Sequence, residues 1–265
     1  MKLFGVAVIS SLLLSLAINS RVEALNLTVK PDPDAPSYLF VDGVPFTFLK
    51  RGETTGGQYA IGEITIQPGQ GALPHIHHQE NEWFYVKEGN LQLMRGENYY
   101  PDPNQVPGVN APKDLIHALN APAGTLLYVE KDYIHGVLNV SQEPAKLQLI
   151  WTPAGFENIF IKEIGIPVLD PSNPPPPTSD YPLLFAEAAR RYGVVGSFSY
   201  EEFGDIVVDN TLLNLDNRSD KLLKLLGEDA TTIPEPSVLW GALIFGTSGA
   251  ISIWKSQRKS LKKVA

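Results

Sequence analysis

Between residues 37 and 152 the chain is a succession of short β-forming runs. Gln58–Ile66, Trp83–Lys87, Asn90–Met94, Thr125–Val129, Ile134–Val140 and Lys146–Trp151 are rich in Val, Ile, Leu and aromatic residues, and Gly, Pro, Asn and Asp separate them. Within Glu82–Val86 the alternation sets Glu82, Phe84 and Val86 on one face. No helical period interrupts these runs, so the pattern predicts an all-β antiparallel barrel or sandwich rather than βαβ units. Ser37–Val41 and Val44–Leu49 flank Asp42-Gly43, a hairpin signal. Arg95–Asn120 is irregular and rich in Pro and Asn, and reads as a long loop.

After Trp151 the pattern changes. A short helix is expected over Glu157–Glu163, with Phe156, Ile159, Phe160 and Ile164 on one side. Pro171–Pro177 reads as a stiff connector. A second helix starts near Asp180, carries Pro182 in its first turn, runs to Arg191 and stops at Gly193. The expected organisation is a barrel over residues 25–153, a helical extension over 154–203 packed on it, and a polar linker over 204–233. That linker holds one short amphipathic stretch, Asp220–Leu226.

The two ends have their own patterns. Residues 1–24 combine Lys2, an apolar run from Leu3 to Ile18 and Val22-Glu23-Ala24, the layout of a secretory signal. Residues 234–265 run from Pro234-Glu235-Pro236 through the uncharged Val238–Trp254 to Lys255, Arg258, Lys259, Lys262 and Lys263. The apolar run is near the minimum spanning length, and its basic flank favours the cytoplasmic side. The expected location is therefore the periplasm or cell surface, with the chain first anchored by that helix.

A net charge of −8 argues against a nucleic-acid partner. With no cysteine, thiolate chemistry and cysteine-type zinc sites are excluded. A transition metal would have to be held by His and carboxylate groups, which suit Fe, Mn, Ni, Cu or Zn.

Such groups cluster between Gly69 and Gly89. On a strand, His75 and His77 face the same way with Cα atoms about 7 Å apart, while His78 faces the other side. After a turn, Glu82 opens the next strand and can face the pair. His135, at the start of a later β-run, supplies a fourth group. One divalent ion held by His75, His77, Glu82 and His135 would keep open positions, and Glu82 could also serve catalysis as a proton acceptor. Glu80 is an alternative carboxylate. Asn139 is read as a turn hydrogen-bonder, His117 as a solvated loop residue, and Tyr99, Tyr100 and Tyr133 as structural residues that could reach an aromatic substrate.

The spacing Gly69, x5, His75-x-His77, x4, Glu82, x6, Gly89 resembles the first cupin motif without departure. Gly124, His135 and Asn139 fit the second motif, with Glu130 in place of its Pro and Asp132 in place of its Gly. With GETTGGQYAIGEITIQPG, TPAGFENIFIKEIG and AEAARRYGV, the chain is similar over roughly residues 40–200 to bacterial quercetin 2,3-dioxygenase-like cupins. The resemblance implies a jelly-roll barrel and a metal-dependent dioxygenase of flavonol or phenolic small molecules, with homodimerisation common. A cupin isomerase or a non-catalytic surface cupin binding a small molecule or sugar are the alternatives. The C-terminal order of Pro-Glu-Pro, apolar helix and basic cluster resembles the PEP-CTERM sorting signal, which implies an exosortase as processing partner.

Overall fold

The structure, a computed structural model, describes residues 25–41, 43–105, 114–196 and 204–232. The signal and sorting segments expected at the two ends lie outside the described residues. Among the described residues no helix is long and apolar enough to cross a membrane.

The fold is a mostly-β jelly roll with a few short helices. Its strands are β1 (Leu27–Val29), β2 (Ser37–Leu39), β3 (Pro45–Lys50), β4 (Ala60–Ile66), β5 (Gly71–His77), β6 (Asn81–Glu88) and β7 (Asn90–Tyr99). They continue as β8 (Asp114–Pro122), β9 (Leu126–Val129), β10 (Tyr133–Leu138), β11 (Ala145–Thr152), β12 (Val194–Gly196), β13 (Gly204–Val208) and β14 (Ala230–Thr232). Helices α1 (Gly52–Thr55), α2 (Tyr181–Arg191) and α3 (Ser219–Leu226), a π-helical turn at Ile159–Ile164 and 3-10 turns at Thr211–Asn214 and Gly227–Asp229 complete the described elements. One six-stranded sheet has the order β12-β5-β10-β7-β8-β13 and the other β2-β3-β4-β11-β6-β9, while β1 pairs with β14.

Between the sheets lies the main core, in which Phe46, Phe48, Phe84, Val86, Leu93, Val137, Leu147 and Trp151 are buried. Phe84 and Val86 stand on the inner face that alternation assigns them, and Glu82 opens the same face. Trp83 and Tyr85 point the other way and are equally buried, against Tyr59, Ile61 and Ile150. A strand buried on both faces needs a cover on its outer side. That cover comes from α3, whose Leu222 and Leu226 pack there, while Arg218 and Lys221 lie over the Tyr128 ring.

Residues 204–233 are therefore not a linker over their described part. β13 joins the edge of the first sheet in parallel with β8, α3 caps the second, and β14 pairs with β1. The extension expected over 154–203 contains α2, as expected, but also β12, which is built into the first sheet beside β5. The long loop expected over Arg95–Asn120 is much shorter. β7 runs on to Tyr99 and β8 begins at Asp114, with Arg95 opposite His117 in the ladder. The polar residues of this stretch lie on a strand pair with a solvated face, which composition does not distinguish from a loop.

Candidate metal centre

His75 and His77 are two residues apart on β5, so both face inward while Ile76 faces a separate cluster on the outer side. His135 on β10 is the register partner of His75, and their rings are 4.5 Å apart between centroids. Glu82 comes from β6 in the opposite sheet. One ligand atom from each of the four lies within 4.8 Å of the other three. The sequence-expected quartet is thus brought together.

Each imidazole is oriented from behind. Nδ1 of His75 lies 2.7 Å from the Leu73 carbonyl, and Nδ1 of His135 lies 2.9 Å from the Tyr133 carbonyl. A carbonyl can only accept, so these Nδ1 atoms donate and leave the Nε2 lone pairs free. His77 Nδ1 lies 3.3 Å from Glu80 Oε2. Glu80 therefore stands behind His77 rather than in the quartet.

The donor set fits an ion. His135 Nε2 and Glu82 Oε2 are 2.9 Å apart, and Glu82 Oε2 is 3.8 Å from His77 Nε2. Both His135 Nε2 and Glu82 Oε2 are buried without a directed hydrogen bond. Ligands about 2.1 Å from one ion stand roughly 3–4 Å from each other. Burial pushes His75 and His135 down to about 4, takes His77 well below its usual range, and pushes Glu82 up to about 8. Neutral imidazoles are what a metal needs, and a cation would favour the ionised Glu82 carboxylate. The His/Glu cluster could hold one divalent ion.

The turn of the second motif, with its two replacements, is held around Asp132. Asp132, at the position of the motif's Gly, has φ +68°. Its carbonyl accepts from Tyr100 N at 2.7 Å, its own N–H donates to the His77 carbonyl at 2.7 Å, and Oδ1 lies 2.7 Å from His78 Nδ1. These three contacts hold a left-handed Asp in place. Asn139 is fully buried and bonds the Ile66 and Glu143 carbonyls through Nδ2, the expected turn role. His117 is a correction. It is half-buried on β8, with Nε2 2.7 Å from Glu97 and Nδ1 2.9 Å from Asp209. The Arg95 guanidinium lies over the Tyr133 ring, which packs tilted against Tyr99, and neither Tyr99, Tyr100 nor Tyr133 is among the described residues that line the cavity.

That cavity, of about 340 Å³, adjoins the cluster. His75, His77 and Glu82 form one part of its wall, and Phe46, Phe84, Trp151, Phe156 and Phe185 much of the rest. Motif reading does not find these walls, because the aromatic residues come from five separate elements and loops. The helical spacing of Pro182, Phe185, Ala186 and Ala189 was the one local signal, since it puts an apolar stripe of α2 toward the barrel.

Residues 62–101, which include His75, His77 and Glu82, match the family model described as the Cupin domain. Over that stretch the chain is similar to the Cupin domain. Among solved structures, a sugar phosphate isomerase from a cupin superfamily from Silicibacter pomeroyi is 19% identical, with 40% of this chain and 59% of that chain covered and a TM-score of 0.29. The Lactobacillus farciminis oxalate decarboxylase is 18% identical, with 49% of this chain and 33% of that one covered and a TM-score of 0.35. This chain thus spans less than two thirds of either, and likeness of that degree carries no argument about activity. No curated protein matches the chain.

Proposed function

We propose that this cupin is an extracytoplasmic, metal-dependent dioxygenase of a flavonol or similar phenolic small molecule. The observation that carries the reading is the position of the His75–His77–Glu82 wall against an aromatic cavity of about 340 Å³. Ligand cavities of this size and composition take flat, mostly apolar molecules of about drug size. In this reading His75, His77, Glu82 and His135 hold one Fe, Mn, Ni, Cu or Zn ion. Such an ion would supply Lewis acidity toward a substrate hydroxyl and, if redox-active, a means of engaging dioxygen. The chain's own residues do the rest. Phe84, Trp151 and Phe156 orient the substrate rings by stacking. Helix α2 limits water at the mouth. Glu82 Oε2, kept ionised by the bound cation, accepts the substrate hydroxyl proton. Both atoms of dioxygen enter the product, so the substrate is the sole reductant.

Oxygen-electrode assays with quercetin and simpler phenols test the proposal. Metal-loaded protein should consume dioxygen, a chelator should stop it, and Glu82→Gln should abolish it. No uptake by metal-replete protein with any phenol would sink the enzymatic reading. It would favour instead a non-catalytic surface cupin, which the sorting-signal pattern of residues 234–265 supports. Export through residues 1–24, exosortase processing and homodimerisation belong to the same proposal. Fractionation of cells and the mass of the mature chain test the first two, and the solution mass of the exported chain tests the third.

A further inference from the structure

Along α2 the residues that line the cavity are Pro182, Phe185, Ala186, Ala189 and Arg190. Their spacing is i, i+3, i+4, i+7 and i+8, one continuous face of a helix. The first four are apolar. The fifth, Arg190, is solvent-exposed and ends that face at the rim of the cavity. Apart from His75, His77 and Glu82, Arg190 is the one ionisable residue among the described lining residues.

The adjacent cation has an ordinary explanation and Arg190 does not share it. Arg191 faces away and pairs with Glu163 at 2.8 Å. Among the described residues, no hydrogen bond or ion pair engages the Arg190 guanidinium, whereas a helix C-terminus favours a cation on any of its faces. Of the two, Arg190 is the one on the α2 face that lines the cavity. A fixed positive charge at the rim of an aromatic cavity complements an anion whose body fills that cavity, and the planar fork of Arg matches a carboxylate.

We infer that Arg190 is a specificity-determining residue that selects planar aromatic acids, the ligand carboxylate meeting the guanidinium at the α2 end of the cavity and its ring lying between Phe and Trp walls toward His75, His77 and Glu82. The inference rests on the cavity being the substrate site and narrows the proposed phenolic substrates to phenolic acids.

Isothermal titration calorimetry on the metal-loaded full chain, with 2-naphthoate and its neutral isostere 2-naphthamide, tests it. Wild type should prefer the carboxylate by about fivefold, the scale of one solvent-accessible charge pair beside apolar walls. Arg190→Gln should bring the ratio to about one with unchanged affinity for the amide, Arg190→Lys should retain part of the preference, and Arg191→Gln all of it. Equal binding of both probes to wild type, or a preference that survives Arg190→Gln, overturns the inference and leaves the cavity as a ligand site. Binding of neither probe overturns the inference together with the cavity reading on which it rests. An unchanged unfolding midpoint and metal content establish that Arg190→Gln is folded.

Discussion

Glu82 and the three imidazoles show how one set of residues holds opposite tendencies in balance. Buried without a cation, the carboxyl is pushed up to about 8 and the His75 and His135 rings down to about 4. For Glu82 the raised value means stability present below its ordinary value of 4.5 and lost as pH rises through about 8. For the histidines the lowered value means stability present above 6.5 and lost as pH falls through about 4. Metal-free protein should therefore be less stable at pH 9 than at pH 6.5 by denaturant titration, and metal should remove most of that difference. At pH 7 metal uptake should release about one proton, read by calorimetry in buffers of different ionisation enthalpy. Glu80→Ala frees the His77 ring from its partner and should weaken metal affinity by about 10- to 100-fold, while Glu80→Gln retains an acceptor and should weaken it less. Asp132 carries a left-handed backbone and a bond to His78. Asp132→Ala and Asp132→Gly both lose the bond and only Ala keeps the strain, so Asp132→Ala should cost about 1–2 kcal/mol more than Asp132→Gly, measured by chemical denaturation.

At the scale of elements, the outer faces of the two sheets decide what the C-terminal third does. Trp83 and Tyr85 on β6 are nearly inaccessible because α3 lies over them. Leu222→Ala should destabilise the protein by about 2–5 kcal/mol, whereas a tether would tolerate it at almost no cost. β13 is fastened to β8 through His117, which Asp209 and Glu97 grip from both ring nitrogens. The hydrogen bond that His117 donates to Glu97, and then the one it donates to Asp209, raise the His117 value above 6.5. This contribution is fully present below 6.5 and is lost as pH rises through the raised value. Hydrogen exchange of the Gly204–Val208 amides, corrected for intrinsic rates, should show protection falling on that rise, and His117→Ala should remove the pH dependence.

For the whole molecule, the quartet ties three strands of two sheets to one point, with His75 on β5, His135 on β10 and Glu82 on β6. An ion bound there is bound by the folded state, because no unfolded chain presents the four groups together. At a free metal concentration a thousandfold above Kd the gain is about 4 kcal/mol. For a chain of this size that corresponds to a rise in Tm on the order of 10 °C, which differential scanning calorimetry with and without chelator would read. Unchanged midpoints across Mn, Fe, Ni, Cu and Zn would refute metal binding by the quartet.

Some of this was legible along the chain and some was not. Period-two alternation assigned Phe84 and Val86 to the core, and the spacing of His75, His77, Glu82 and His135 marked the quartet, because strand geometry fixes which neighbours share a face. Pro182 and Gly193 bounded α2 correctly, since capping is a local property. The stretches expected as loop and linker, Arg95–Asn120 and 204–233, differ from that expectation over those described residues whose structure depends on what lies opposite. β7 extends because β8 pairs with it, and α3 is ordered because β6 is apolar on both faces. The run Trp83-Phe84-Tyr85-Val86 did state that both faces are buried, but not which segment covers the outer one. The second roles of Glu80 and Asp132, the aromatic walls and the place of Arg190 at the cavity rim arise from contacts between distant segments. Long-range packing decides such contacts, and no local period encodes them.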